Sequence, residues 1–85
     1  MLLDVRSPDA YGEGHVPGAV NLPYRRITNM AQYSPGTIFV VYCTGPHCNG
    51  ADKAAVRLAR LGRPVKKKIG GIEGWKDEGF DLTPE

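Results

Sequence analysis

The feature that most constrains the fold of this chain is an apolar run at residues 37–42, with the sequence TIFVVY. The run is rich in β-branched and aromatic residues, follows Pro35 and Gly36, and leads directly into Cys43. An unbroken run of this kind between turn residues is typical of a strand covered on both faces, as in a parallel sheet. The sequence therefore predicts a central, buried strand that ends at a cysteine.

A helix is predicted after this strand, beyond a loop of small and turn-forming residues. Apolar residues recur there with helical spacing, at Ala51, Ala54, Ala55, Leu58 and Leu61. Charged residues occupy the other faces, and Gly62 marks the end of the helix. Further short strands are predicted at residues 2–6, 19–22 and 65–69, because each is an apolar segment next to turn residues.

Short helical segments complete the pattern. Ser7 suits the cap of a helical turn over residues 8–13. Another turn is expected over residues 72–78, with Trp75 anchoring it in the core. Strands that alternate with helices imply an α/β fold with a parallel sheet and helices on both of its faces.

Composition limits the chain to one small domain and excludes several functions. It has 85 residues, a net charge of +2, and 11 glycines and 7 prolines, which suit short elements joined by many turns. It shows no apolar run long enough for a membrane span and no signal peptide, so we expect a cytoplasmic protein. The net charge does not indicate a nucleic-acid partner, and two cysteines are too few for a disulfide scaffold.

Cys43 stands where open α/β sheets bind their ligands, at the carboxyl end of the central strand. We expect the loop that follows to curl, so that backbone N–H groups converge beside the helix N-terminus and form an anion cradle. The cradle comprises Thr44, Gly45, Pro46, His47, Cys48, Asn49 and Gly50. It favours the thiolate over the thiol and makes Cys43 a candidate nucleophile. A buried structural cysteine is the alternative.

Two residues of the cradle have open roles. Cys48 is either a resolving thiol for Cys43 or a bystander, and an intracellular setting is expected to keep both reduced. His47 either serves an anionic substrate and its leaving group or is a solvent-exposed loop residue. A zinc site made of both cysteines, His47 and His15 is disfavoured because the spacing matches no usual ligand pair. We therefore expect no metal and no cofactor.

Four segments of the chain are together similar to a known family. They are LLDVR at residues 2–6, EGHVPGAVN at 13–21, VYC at 41–43 and GGIEGW at 70–75. In this order they resemble the rhodanese (thiosulfate sulfurtransferase) domain family. The resemblance implies a single rhodanese-like domain over residues 1–85, with a parallel sheet of four to five strands flanked by helices on both faces. It also implies that Cys43 is the catalytic residue.

The resemblance further implies roles for residues away from the cysteine. Asp4 and Arg6 are expected to tie the sheet edge to the loop of residues 13–18, where His15 is expected to be structural. Gly70 and Gly71 are expected to allow close backbone approach beside the cysteine loop. Family members generally have a strand and a helix before the LLDVR segment, so we expect a sheet one strand short or a piece of a longer protein.

The cysteine loop departs from the family pattern C-x-x-G-x-[RKS]-S, because it is longer and holds no arginine or lysine. Thiosulfate is an anion, and its recognition benefits from a nearby cation. We therefore expect Lys53, Arg6 or Arg25 to supply electrostatic support. Lys68 stands where relatives usually have an apolar residue before the Gly-Gly turn, so we expect it to be exposed at the sheet edge.

The leading hypothesis is a sulfurtransferase that moves a sulfane sulfur from a small-molecule donor such as thiosulfate through a persulfide on Cys43. The acceptor is expected to be a thiol, cyanide or a protein, with no membrane or nucleic-acid partner. One alternative is a non-catalytic module that senses sulfur or oxidants through Cys43 and Cys48. Another is a phosphatase or arsenate reductase on the same fold, disfavoured because Asn49 replaces the arginine of C-x-x-x-x-x-R.

Overall fold

The computed structural model describes residues 1–28, 30–45, 49–68 and 70–84. Its strands are β1 (Leu2–Asp4), β2 (Val20–Asn21), β3 (Phe39–Tyr42) and β4 (Val65–Lys67). Its α-helices are α1 (Pro8–Glu13), α2 (Gly50–Arg60) and α3 (Gly71–Asp77), and Tyr24–Arg26 forms a 3₁₀ turn. Within these residues, no helix has both the length and the apolarity that crossing a membrane requires.

The four strands form one parallel sheet in the order β2-β1-β3-β4, which confirms the predicted α/β fold. Leu3 of β1 lies opposite Val20 on one side and Val41 on the other. β3 is therefore an inner strand, as predicted. It is shorter than the apolar run, because Ile38 is half exposed and the strand begins at Phe39.

The sheet is covered on both faces, and alternation along the strands explains how. Side chains on one face pack with α2 and the 3₁₀ turn in a cluster that includes Leu3, Phe39, Val41, Ala54 and Leu58. On the other face the cluster consists of Val16, Ala19, Tyr42 and Ile72. Because successive residues of a strand point to opposite faces, Val41 and Tyr42 enter different clusters.

Local signals place the helix ends. The Ser7 hydroxyl accepts a hydrogen bond from the Ala10 N–H at 3.3 Å, which caps α1 as predicted. Gly62, with φ of 75°, turns the chain away after α2. The predicted strand over residues 65–69 is shorter, ending at Lys67, and Ile69 lies outside the described residues.

Trp75 corrects one prediction about the core. It is only partly buried and packs against the edge of the second cluster, with its ring 4.6 Å from that of Phe80. Its indole N–H donates to the carbonyl of Asp81 at 2.9 Å. This polar partner keeps the indole at the rim, where the ring packs and the N–H stays satisfied. Lys68, expected to be exposed, is half-buried with its Nζ 5.5 Å from the Trp75 ring centre.

Candidate functional site

Cys43 follows β3 directly and lies at the carboxyl edge of the sheet, as predicted. The residue is 7% exposed and belongs to the cluster under α2, so little of its side chain is accessible to solvent. It also lines a cavity of about 310 Å³. The other lining residues are Val5, Arg6, Ser7, Ala10, Tyr24, Thr44, Asn49 and Gly50. Cys43 therefore lies on the floor of a cleft that these residues line.

The sulfur of Cys43 is in a disulfide bond in this structure, which differs from the expectation of reduced thiols. Thiolate chemistry at this position therefore begins from the reduced form. Three members of the predicted cradle, Pro46, His47 and Cys48, lie outside the described residues. The roles expected for them remain predictions.

The N-terminal end of α2 forms one wall of the cleft. Asn49 is the cap residue, and its side chain makes no capping hydrogen bond. Asn49 and Gly50 both line the cavity with Cys43. Because the first N–H groups of a helix lack acceptors within it, this wall presents the positive end of the helix dipole. An anion in the cleft, such as a thiolate or a small oxyanion, would be stabilised there.

The start of α3 holds the backbone of the cysteine loop from the opposite side. The N–H of Ile72 donates to the carbonyl of Cys43 at 3.0 Å, and the N–H of Glu73 donates to that of Thr44 at 2.8 Å. Gly71 has φ of 55°, and a β-carbon at this position would overlap the Cys43 carbonyl. The predicted close approach is confirmed for Gly71.

Two other glycines lie near this contact, and the first of them differs from the prediction. Gly70 supplies a left-handed turn with φ of 85°, and a β-carbon there would first meet Gly74, 3.3 Å away, rather than the cysteine loop. Gly45, expected in the cradle, packs beneath the side chain of Glu73 and does not line the cavity. Its missing side chain leaves room for that carboxylate. The sequence did not single out Glu73, although it lies in the GGIEGW segment.

A buried polar network supports the carboxyl ends of β1 and β3. Asp4 accepts hydrogen bonds from Arg6, at 2.7 Å from Nη2, and from the Tyr42 hydroxyl at 2.8 Å. Arg6 Nη2 also donates to the carbonyl of Gly14 at 2.6 Å, which confirms the predicted tie to the loop of residues 13–18. Burial raises the pKa of Tyr42, which keeps the hydroxyl protonated as a donor.

His15 and Arg6 are both held by neighbouring residues, which makes them less available for chemistry than exposed side chains. His15 is buried and stacked on Tyr11 with ring centres 3.7 Å apart, consistent with the expected structural role. Arg6 lines the cleft, but its guanidinium is paired with Asp4 and is 10% exposed. Its charge is therefore largely compensated and offers less to an anionic substrate than the sequence suggested.

The other two cations proposed for the site lie beside it rather than in it. Lys53 Nζ is 5.3 Å from the centre of the Tyr24 ring, and Arg25 Cζ is 5.7 Å away. The Arg25 Nε–H donates to the Tyr24 hydroxyl at 3.2 Å and lowers the pKa of Tyr24. Tyr24 lines the Cys43 cavity, and neither cation does. Tyr24 could not be predicted as a cleft residue from the sequence, because its position relative to Cys43 depends on the tertiary fold.

Comparisons with known proteins agree with this architecture. The family model of the Rhodanese-like domain matches residues 1–78. The BH2092 protein of Bacillus halodurans has a crystal structure that superimposes with a TM-score of 0.93 at 41% identity, covering 99% of this chain and 63% of that one.

Two curated relatives are larger proteins with different names. The HTH-type transcriptional regulator Rv0324 of Mycobacterium tuberculosis is 39% identical over 95% of this chain and 36% of its own length. The adenylyltransferase and sulfurtransferase UBA4 of Candida albicans is 30% identical over 100% of this chain and 21% of its own length. The chain thus spans about a third or less of these two relatives.

Proposed function

Because the chain belongs to the rhodanese-like domain family, we propose that it is a sulfurtransferase that carries a sulfane sulfur on Cys43. The observation that carries this proposal is the position of Cys43 on the floor of a cleft, beside the N-terminus of α2, where the side chain of the cap residue Asn49 makes no capping hydrogen bond. Such a wall of backbone donors stabilises a thiolate and its persulfide without a cofactor. A relative named as a sulfurtransferase adds support.

The proposed cycle starts after reduction of the Cys43 disulfide. The Cys43 thiolate attacks the outer sulfur of a donor such as thiosulfate, and the S–S bond of the donor breaks. Sulfite leaves with the bonding electron pair, and Cys43 holds the transferred sulfur as a persulfide. An acceptor thiolate, cyanide or a protein nucleophile then attacks the outer sulfur, and the Cys43 thiolate leaves. A cycle that needs a reduced thiol suits the cytoplasm.

Each part of the cleft has a proposed role in this cycle. Thr44, Asn49 and Gly50 surround the reacting sulfur atoms, and the start of α2 stabilises their negative charge. The hydrogen bonds from Ile72 and Glu73 keep the loop backbone fixed. The Asp4–Arg6 pair holds the cleft wall rather than binding the donor.

Turnover of thiosulfate with cyanide tests the proposal. The reduced protein is expected to form thiocyanate and sulfite in equal amounts. Cys43→Ser should abolish the reaction, because serine forms no persulfide. Cys48→Ser is the matched control and should retain turnover, since the proposed cycle uses one sulfur atom of the protein. Thiocyanate formation that survives in Cys43→Ser would refute Cys43 as the carrier.

A redox- or sulfur-sensing module is a second candidate, favoured by the disulfide at Cys43. The relative named as a transcriptional regulator is consistent with such a role. A sensor is expected to lose two thiols to a mild oxidant, with two hydrogens removed, and to regain them with a reductant. It would not turn over thiosulfate. The turnover assay therefore separates the two candidates.

A further inference from the structure

An exposed group of cations lies next to the cleft and is not explained by the cycle above. It consists of Lys53, Arg57 and Arg60 of α2 and Arg25 of the 3₁₀ turn, here called the basic face. The three helical members stand at spacings of four and three residues, so they share one side of α2. All four are exposed.

Tyr24 organises the basic face and joins it to the cleft. Its ring lies 5.3 Å from Lys53 Nζ, 5.6 Å from Arg57 Cζ and 5.7 Å from Arg25 Cζ. Tyr24 lines both the Cys43 cavity and a neighbouring groove of about 300 Å³ on α2. A ligand seated in this groove would therefore lie one side chain away from the cleft.

Among the described residues, no carboxylate compensates the positive charge of the basic face by an ion pair. In the described parts of the chain, the ion pairs are Arg6–Asp4 and Lys67–Asp52, and neither contains a member of the basic face. Asp52 lines the groove, but Lys67 Nζ holds its carboxylate at 2.7 Å. Several other acidic residues lie in and after α3, at Glu73, Asp77, Glu78 and Asp81. The attraction of the basic face is thus available to a partner.

The position of the basic face indicates a ligand larger than thiosulfate. None of its members lines the Cys43 cavity. α2 starts at the cavity and runs away from it, and Lys53 and Arg60 are about 10 Å apart along the helix axis at 1.5 Å per residue. A small oxyanion held at Cys43 would not span this stripe. An extended segment with several carboxylates would.

Groove composition favours a protein segment over a nucleic acid. Val56 lies among the cations in the groove and is 48% exposed, which offers an apolar contact to a peptide side chain. The net charge of the chain is only +2, whereas nucleic-acid sites usually sit on strongly basic domains.

We propose that the basic face is a docking surface for an acidic segment of the protein that exchanges sulfur with Cys43. That this partner exchanges sulfur with Cys43 rests on the proposed function, whereas the docking itself does not. The surface would steer the partner by charge and place its reacting group over the cleft.

Docking is tested first in Cys43→Ser, which has no sulfur chemistry at this position. A short fluorescein-labelled peptide rich in glutamate should bind by fluorescence anisotropy, and a glutamine version should not. Arg57→Glu in the same background should weaken binding roughly fivefold, because an attraction becomes a repulsion. Arg57→Gln should weaken it less. Both substituents are good helix formers, and thermal unfolding should show that both variants fold.

Lys66→Glu is the matched control. It makes the same change in net charge at an exposed residue of β4. The side chains of Lys66 and Lys67 point to opposite faces of the sheet, because the two residues are neighbours in one strand. Binding should change by less than about twofold, as expected for a charge distant from the groove. Equal weakening by Lys66→Glu and Arg57→Glu would overturn the proposal. Tighter binding of a single-stranded oligonucleotide than of the acidic peptide would also overturn it.

A second arm connects docking with sulfur transfer in the Cys43-containing protein. With a cysteine added to the acidic peptide, Arg57→Glu should slow transfer to the peptide but leave persulfide formation from thiosulfate unchanged. If no persulfide forms while the peptide binds, the proposed function fails and the docking surface stands. If a persulfide forms but the peptide does not bind, the docking proposal alone is refuted.

Discussion

At the scale of single residues, Gly71 shows how backbone geometry holds the site. Its φ of 55° belongs to the left-handed region, and a β-carbon added here would overlap the Cys43 carbonyl. The next residue, Ile72, donates its N–H to that carbonyl at 3.0 Å. A side chain at position 71 would be disfavoured by the left-handed backbone conformation and by the contact with the Cys43 carbonyl. Neither can relax without a large energetic cost.

Gly71→Ala is therefore expected to lower the free energy of unfolding by about 2 kcal/mol and to displace the cysteine loop. Gly36→Ala is the matched control, since a β-carbon there meets nothing within 4 Å. Denaturant unfolding of the two variants measures the difference. A Gly71→Ala protein as stable as the control would show that the loop does not need this close contact.

At the scale of elements, the Asp4–Arg6–Tyr42 network joins β1, β3 and the loop after α1. The Tyr42 hydroxyl donates to Asp4 at 2.8 Å and accepts from the N–H of Val16 at 3.1 Å. Asp4 and Tyr42 are fully buried. Removing one hydroxyl would leave a buried carboxylate short of a donor and a buried N–H without this acceptor, which carries a desolvation cost.

Tyr42→Phe is expected to lower the free energy of unfolding by about 1–3 kcal/mol, measured by denaturant unfolding at neutral pH. Tyr33→Phe makes the same chemical change in a half-buried ring at the edge of the first cluster and should cost less. Equal effects of the two substitutions would argue against a special role for the network.

The raised pKa of Tyr42 also predicts a pH dependence. The ordinary tyrosine pKa is 10.0, and burial raises it in the folded protein. Above pH 10 the unfolded chain releases this proton while the folded chain keeps it, so stability falls as pH rises. The fall should be smaller in Tyr42→Phe, by at most about 1.4 kcal/mol per pH unit. Parallel curves of unfolding free energy against pH for the wild type and Tyr42→Phe, between about pH 9 and 11, would contradict this assignment.

At the scale of the whole molecule, local sequence signals predicted the order of elements better than the details of the site. Ser7 and Pro8 start α1 at the expected residue, because capping depends on neighbours in the chain. The burial of Cys43 and the place of Tyr24 depend on contacts between distant segments. The pairing of Arg6 with Asp4 and Gly14 likewise required the fold, and it removes a cation that the sequence alone left available.

The charge distribution of the whole molecule could be predicted only in part. The sequence showed where cations occur but not that Lys53, Arg57 and Arg25 meet around Tyr24. Helical spacing alone would have grouped Lys53 with Arg57. The contribution of Arg25 from the 3₁₀ turn needed the packing of that turn on α2. This arrangement separates the Cys43 cleft from a neighbouring basic surface.

Formation of a persulfide on Cys43 tests the proposed sulfur transfer most directly. The protein is reduced, freed of reductant, treated with thiosulfate and analysed by intact-mass and peptide mass spectrometry. We expect one added sulfur atom on Cys43, which disappears when cyanide or a thiol acceptor is added. A reduced Cys43 that stays unmodified with thiosulfate and with other sulfane-sulfur donors would contradict it.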